Sequence, residues 1–302
     1  MFPIKYRKYF YIFSLGSVLI SILLMVLWGF NVGTDFRGGT IIEVKYSGAV
    51  PNKDLLENKL NNLAYGDVSV RNVGSQGFII RTRELTLEQQ ETLKNTLQVD
   101  GTYSFNIERL NSVGPTIGAE LKNKAVVAIG VIILITILFI AYTFRGISKP
   151  VSSWSYGFVS IVALAHDIII PTGAAVIFGR LIGMEIDALF VTALLSLLGY
   201  SINDTIVIFD KIRDNLKENQ NHNRHEAFEN IVGKSLSETY GRSINTSLTV
   251  FLVLICLYIF GGSSIHNFIL TLIIGTIAGA YSSIFLAAPL LVTINNRKNK
   301  AS

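Results

Sequence analysis

The sequence predicts an α-helical membrane protein, with six transmembrane helices and one small α+β domain of ferredoxin-like βαββαβ order between the first and second. Three observations predict it. Half of the 302 residues are hydrophobic and only 16% are charged, against about a quarter charged in an ordinary soluble domain. The charges collect between long apolar runs, and six of these reach the roughly 20 residues that a helix needs to cross about 30 Å of hydrocarbon. A single long polar stretch, 31–123, separates the first run from the second and has strand and helix patterns of its own.

Residues 1–9 form a basic tail with Lys5, Arg7 and Lys8. The first span is expected at 10–29. It is too long for the core of a signal peptide and is followed by Trp28-Gly29-Phe30-Asn31 in place of a small-x-small cleavage site, so it is expected to be retained. Further spans are expected at 124–144, 155–178, 186–209, 244–260 and 268–294, with a polar loop at 210–243 and a tail at 295–302. Each span reads as helix because an open strand in lipid leaves its backbone groups unpaired. Basic residues alternate between connections: Lys5, Arg7 and Lys8; Arg145 and Lys149; Lys211, Arg213, Lys217, Arg224, Lys234 and Arg242; then Arg297, Lys298 and Lys300. The short connections on the other side hold only Arg180. The positive-inside rule therefore places both termini in the cytoplasm, and Trp28 and Trp154 fall near span ends where amphipathic rings settle. The net charge of +5 is explained by this orientation and does not point to nucleic acid.

Within 31–123, Thr40 to Tyr46 alternates as a strand and Pro51 to Leu63 places Leu55, Leu56, Leu60 and Leu63 on one helical face. Val68 to Arg71 and Phe78 to Arg81 flank a turn at Gly74 to Gly77, which is a hairpin signal. Thr86-Leu87-Glu88-Gln89 opens a second helix with a cap, and Tyr103 to Ile107 supplies a last strand. The order is that of the split βαβ fold.

Ionisable residues inside a span are costly and are functional candidates by default. Asp167 lies near the centre of the third span beside His166. Pro171 and Gly173 follow and are expected to break or loosen the helix, since proline removes the hydrogen bond to the Asp167 carbonyl. These features fit a proton-handling site, with a neutral structural aspartate as the alternative. The fourth span holds Gly199-Tyr200-Ser201-Ile202-Asn203-Asp204-Thr205, with Asp204 roughly 9 Å from the span's middle. Thr192, Ser196, Gly199 and Asn203 form a stripe suited to close helix packing, and Gly275 and Gly279 form another in the sixth span. Asn203 and Asp204 serve either proton handling or interhelical hydrogen bonding. Asp210 and Arg213 are expected to pair at the cytoplasmic end of the span. The lone Cys256 excludes an intrachain disulfide, and His222 and His225 lack a third ligand, so no metal site is expected. Gly33-Thr34-Asp35-Phe36-Arg37-Gly38-Gly39-Thr40 lacks the spacing and context of a nucleotide fingerprint and reads as a tight junction after the first span.

Three stretches together resemble the SecD/SecF family of protein-export membrane proteins. They are Gly33 to Thr40, then Val113-Gly114-Pro115-Thr116-Ile117-Gly118 before the second span, and Ala193 to Arg213. The last run, His166-Asp167 and the modest outside domain are similar to the SecF branch, unfused to SecD. The resemblance implies an accessory subunit of the Sec translocase that pairs with SecD, associates with SecYEG and acts on translocating precursor proteins in the bacterial inner membrane. It places 31–123 in the periplasm, and it implies use of the proton-motive force, with H⁺ the expected coupling ion, no cofactor and no enzymatic activity. Kinship with the resistance-nodulation-division transporters follows as well. The residues themselves leave rivals open: a secondary transporter of a small solute, a passive scaffold for SecD, and an intramembrane aspartyl protease, which the different depths of Asp167 and Asp204 disfavour.

Overall fold

The computed structural model describes residues 2–66, 68–99, 101–143, 151–222 and 226–301, without the side chains of Ala141, Ser153 and residues 298–301. Phe144, Arg145, Lys149, Arg224, His225 and the side chains of Lys298 and Lys300 lie outside the described residues. From the N-terminus, α1 (Phe2–Lys5) and α2 (Arg7–Trp28) precede the short α3 (Thr34–Arg37). There follow β1 (Gly39–Tyr46), α4 (Lys53–Asn61), β2 (Ser69–Val73), β3 (Gly77–Thr82), α5 (Leu87–Leu97) and β4 (Phe105–Val113). The chain continues as α6 (Pro115–Thr143), α7 (Ser153–Leu181), α8 (Ala188–Asn221), α9 (Phe228–Phe260) and α10 (His266–Tyr281), then a π-helical turn (Ser282–Ala287) and α11 (Ala288–Ala301). Two compact units result, one of Met1–Asn31 with Val127–Ser302 and one of Val32–Val126.

Among the described residues six segments are long and apolar enough to cross a membrane: α2, α6, α7, α8, α9 and the stretch Ser263–Arg297. The polar loop expected at 210–243 is mostly helix instead. α8 runs on to Asn221 and α9 already begins at Phe228. The reason is an amphipathic repeat that polar composition hides: Phe228, Ile231, Val232 and Leu236 of α9 are buried against Phe209, Ile212 and Leu216 of α8, at the three- and four-residue spacing of one helical face. Asn215 joins the same seam, donating to Ser235 Oγ and Glu238 Oε2, both at 2.9 Å. The sixth span is not one regular helix either, since the π turn interrupts it. α6 starts at Pro115, well before 124, because proline is pre-set for the first helical position.

The second unit is a four-stranded antiparallel sheet of order β2-β3-β1-β4. Ile42, Val44 and Tyr46 alternate onto the face covered by Leu56 and Leu60 of α4 and Leu93 and Leu97 of α5. The helix starts are capped locally. Asn52 accepts from the Asp54 amide, and Thr86 and Gln89 form a reciprocal capping box. β4 lies further along the chain than Tyr103 to Ile107: it begins at Phe105 and pairs through a bulge opposite Glu43/Val44 until Val113 faces Gly39. The tyrosine hydroxyl of Tyr46 reaches through the core to donate to the Leu97 carbonyl at 2.9 Å.

Candidate functional site

α7 carries His166 and Asp167 at its middle, and both side chains are almost wholly buried. The carboxylate is answered on both oxygens. Oδ1 lies 2.8 Å from His166 Nδ1. Oδ2 accepts from Ser201 Oγ of α8 and from Ser282 Oγ at 2.7 Å. Three elements therefore converge on one acidic group, each bringing a short polar side chain from an otherwise apolar surface. Gly279, one turn before Ser282, keeps the approach open: a Cβ there would stand 3.7 Å from Asp167 Oδ2 and 3.3 Å from Ser201 Cβ.

The π turn gives the site its second half. Such turns interrupt the regular i→i+4 ladder and recur at functional positions. Here they let consecutive residues serve two different acids. Ser282 reaches Asp167, while Ser283 lies 3.0 Å from Thr205 Oγ1 and beside Asp204. Asp204 Oδ1 accepts from Ser243 Oγ of α9 at 2.6 Å, and Arg242 is within electrostatic reach. Asp204 Oδ2 has no partner among the described residues. Asp167 and Asp204 thus sit at the two ends of a layer of hydroxyls from α8, α9 and the π turn. Ser201 is level with Asp167, and Asp204 lies three residues on, so the offset along α8 is about 4.5 Å. The offset is smaller than the roughly 9 Å expected because Ser201, and not the middle of 186–209, is the residue that meets Asp167.

His166 has a second open valence. Its Nε2 has no hydrogen-bond partner among the described residues. The ring lies nearly parallel to Tyr281, with centroids 5.8 Å apart and 19° between planes. Tyr281 accepts from Ser14 at 3.3 Å and donates to the Phe10 carbonyl at 3.0 Å, both on α2. An unpaired charge in such a dry place is expensive, and the His166 Nδ1–Asp167 Oδ1 contact, with the Ser201 and Ser282 hydroxyls, satisfies the acidic group there.

Several expectations need correcting. α7 is continuous through Pro171, so the expected break is absent. Thr172 Oγ1 donates to the Ile168 carbonyl at 2.6 Å beside the bond that proline removes. Gly173 is a packing position, where a side chain would overlap Ser21 of α2. The stripe Thr192, Ser196, Gly199 and Asn203 is exposed on the far side of α8 from Asp167, and the packed face is that of Leu197, against Gly275, and Ser201. Asn203 therefore does not meet Asp167. Asp210 and Arg213 pair at 2.6 Å. Sequence reasoning missed Ser201, Thr205, Ser243, Ser282 and Ser283. The available signal was the recurrence of hydroxyl residues inside apolar runs, which mark interhelical hydrogen bonding. Among the described residues no group of three or more His, Cys, Asp or Glu side chains is placed to hold a metal ion.

The glycine-rich junction belongs to the other unit. Gly38 and Gly39 have φ of +81° and +133°, where other residues are strained. A Cβ on Gly38 would lie 2.8 Å from Pro115 Cα, and one on Gly39 would lie 2.7 Å from the Thr82 carbonyl oxygen. A Cβ on Gly118 would lie 3.0 Å from the Gly38 amide nitrogen and 3.1 Å from the Phe36 carbonyl, while Gly114 abuts Glu84. The two glycine motifs are thus two sides of one backbone-to-backbone contact at the start of α6. Asp35 is buried beside it and Arg37 is exposed.

Comparison with known proteins gives consistent results. The family described as protein export membrane protein SecD/SecF, C-terminal, matches residues 92–297, and the SecD/SecF GG motif matches 29–50. The protein translocase subunit SecF of Thermobaculum terrenum is 38% identical, with 97% of this chain and 94% of that protein covered. The same subunit of Calditerrivibrio nitroreducens is 37% identical, with 97% and 93% covered. The crystal structure of SecDF, a translocon-associated membrane protein from Thermus thermophilus, superposes with a TM-score of 0.80 at 30% identity, covering 96% of this chain. This chain spans 38% of that SecDF chain.

Proposed function

The chain belongs to the SecD/SecF family of protein-export membrane proteins, among its SecF members, and we propose that its share in export is to couple the proton-motive force to the movement of precursor proteins. It is a multi-pass membrane protein and an accessory subunit of the Sec protein translocase. In our reading it pairs with SecD and associates with SecYEG in the inner membrane. Both termini are cytoplasmic, residues 31–123 are periplasmic, and the chain itself catalyses no covalent reaction. The coupling ion is H⁺.

One observation carries this reading: Asp167, buried at the middle of α7, is held by His166, Ser201 and Ser282, and the neighbouring Ser283 links that cluster to Thr205 and Asp204. A proton gained or lost at Asp167 changes which hydroxyls it holds. Because Ser282 and Ser283 share one π turn, that change is felt at Asp204 and hence by α9 through Ser243. A potential of 100 mV supplies about 2.3 kcal/mol per charge crossing. Conformational pairs are commonly separated by a few kcal/mol, so one or two protons per cycle are sufficient to drive such a shift.

The partner follows from the outer surface of the bundle. Asn203, Arg242, Asn245 and Thr246 are exposed on α8 and α9, where contact with hydrocarbon is costly. A second bundle supplied by SecD covers them in our reading. The test is precursor export in cells lacking this gene, complemented with wild type, Asp167→Asn or Asp204→Asn, with insertion and SecD co-purification followed in parallel. Failure of Asp167→Asn with SecD binding intact supports the proton step. Wild-type export by both variants leaves a scaffold for SecD, with buried carboxylates that serve packing alone.

A further inference from the structure

A crevice of about 380 Å³ lies between the N-terminal segment and the start of α9, lined by Ile4, Lys5, Glu229, Asn230, Lys234 and Ser237. Its walls combine two ammonium groups, a hydroxyl and an amide, which together make a donor set for an anion. The one carboxylate in the wall, Glu229, is already engaged by Arg7 at 3.0 Å. Glu218 approaches Lys234 from outside the crevice, at 3.7 Å. Lys5 lies 5.6 Å from the centre of the Tyr6 ring.

The depth of the crevice decides the ligand. Ser14 and Ser243 belong to the layer of buried polar groups, Ser14 through Tyr281 and His166, and Ser243 through Asp204. Lys234 precedes Ser243 by nine residues of α9, about 13 Å of helix, and Lys5, at the end of α1 just before the break at Tyr6, lines the same crevice as Lys234 and so shares its level. Half of a bilayer's hydrocarbon core is about 15 Å. With the carboxylate layer at mid-membrane, both ammonium groups stand at the level of lipid phosphates. Phe2, Tyr6 and Tyr9 are exposed beside them, as aromatic residues are at a membrane interface. Basic pockets between transmembrane helices are known to hold anionic headgroups.

We infer that this crevice binds the headgroup of an anionic phospholipid, with its phosphate between Lys5 and Lys234 and its polar substituent against Asn230 and Ser237. The lipid bridges the N-terminal segment and α9, the helix whose Ser243 holds Asp204. The site stands independently of the proton step and goes beyond it.

The test is native mass spectrometry of the purified full chain in micelles doped with phosphatidylglycerol or phosphatidylcholine. Wild type is expected to retain phosphatidylglycerol in preference. Lys5→Gln with Lys234→Gln is expected to lower that retention about 30-fold, which is about 2 kcal/mol at about 1 kcal/mol per basic side chain. Ser237→Trp fills the crevice without removing charge and is expected to abolish retention, so the test survives if the double variant fails to insert. Lys94→Gln, which removes a lysine paired with Glu91 on α5, is expected to change nothing. Equal retention of phosphatidylcholine, or retention of phosphatidylglycerol by Ser237→Trp and the double variant at the wild-type level, overturns the proposal. Displacement of the lipid by millimolar glycerol 3-phosphate also overturns it, and assigns the crevice to a soluble phosphate ester.

Discussion

Gly38→Ala gives a quantitative prediction at the junction between the two glycine motifs. Gly38 has φ +81° and ψ 159°, a region visited almost only by glycine, and holding another residue there costs on the order of 1–3 kcal/mol. The added Cβ would also stand 2.8 Å from Pro115 Cα and N. These are backbone atoms that no rotamer change removes, so overpacking adds about 1–3 kcal/mol. The sum is about 2–6 kcal/mol. A unit spanning Val32–Val126 has a total stability of about 5–14 kcal/mol at roughly 0.05–0.15 kcal/mol per residue, so the substitution removes a large fraction of it. Hydrogen exchange of the full chain, read by mass spectrometry, is the assay. Amides of β1, and of α6 near Gly118, are expected to exchange at least about 30-fold faster, since 1.4 kcal/mol is tenfold. Gly48 has open space around it and no positive φ, so Gly48→Ala is expected to leave exchange within about twofold of wild type. Equal protection in Gly38→Ala and wild type refutes the reasoning.

Other consequences are independent of that one. Burial, with a smaller contribution from Tyr103, pushes the Tyr46 phenol from 10.0 up to about 12. Its contribution to stability is therefore complete below pH 10 and is lost as pH rises towards 12. Tyr46→Phe is expected to flatten this alkaline loss in a denaturation series and to cost about 1 kcal/mol at neutral pH through the missing bond to Leu97. Gly275→Ala drives a Cβ into the Leu197 side chain and is expected to cost about 1–3 kcal/mol; adding Leu197→Ala is expected to restore part of the thermal midpoint, and failure of any rescue argues against that contact. Removing the half-buried Asp210–Arg213 pair by Arg213→Gln is expected to cost about 1 kcal/mol in the same melting assay.

The spans and the order of the sheet were legible because burial leaves periodic signatures. Ile42, Val44 and Tyr46 alternate, and runs of about twenty apolar residues have no other stable form in lipid. Helix ends were less legible. Phe228 to Arg242 looks polar by composition, and only the spacing of Phe228, Ile231, Val232 and Leu236 betrays that α9 begins so early. Asp167 was conspicuous as a charge among apolar residues, but its partners were not. Ser201 and Ser282 lie 34 and 115 positions away in the chain, and serine in an apolar helix can equally bond its own backbone, as Thr249 does to Asn245. The π turn has no local sequence signal comparable to proline, which drew attention to the wrong helix. The exposed stripe at Ser196, Gly199 and Asn203 was recognised as a packing surface, but one sequence cannot say whether the packing partner is in the same chain.

The central claim is that Asp167 must gain and lose a proton for this subunit to assist export. It is tested most directly in vesicles that contain the translocase, SecD and either wild type or Asp167→Asn, by measuring precursor translocation with and without an imposed proton gradient. The amide keeps the size and can still accept from Ser201 and Ser282, but it cannot carry the proton. The account predicts that wild type is stimulated by the gradient and that Asp167→Asn translocates at one rate in both conditions. Undiminished stimulation of the Asp167→Asn vesicles would contradict it.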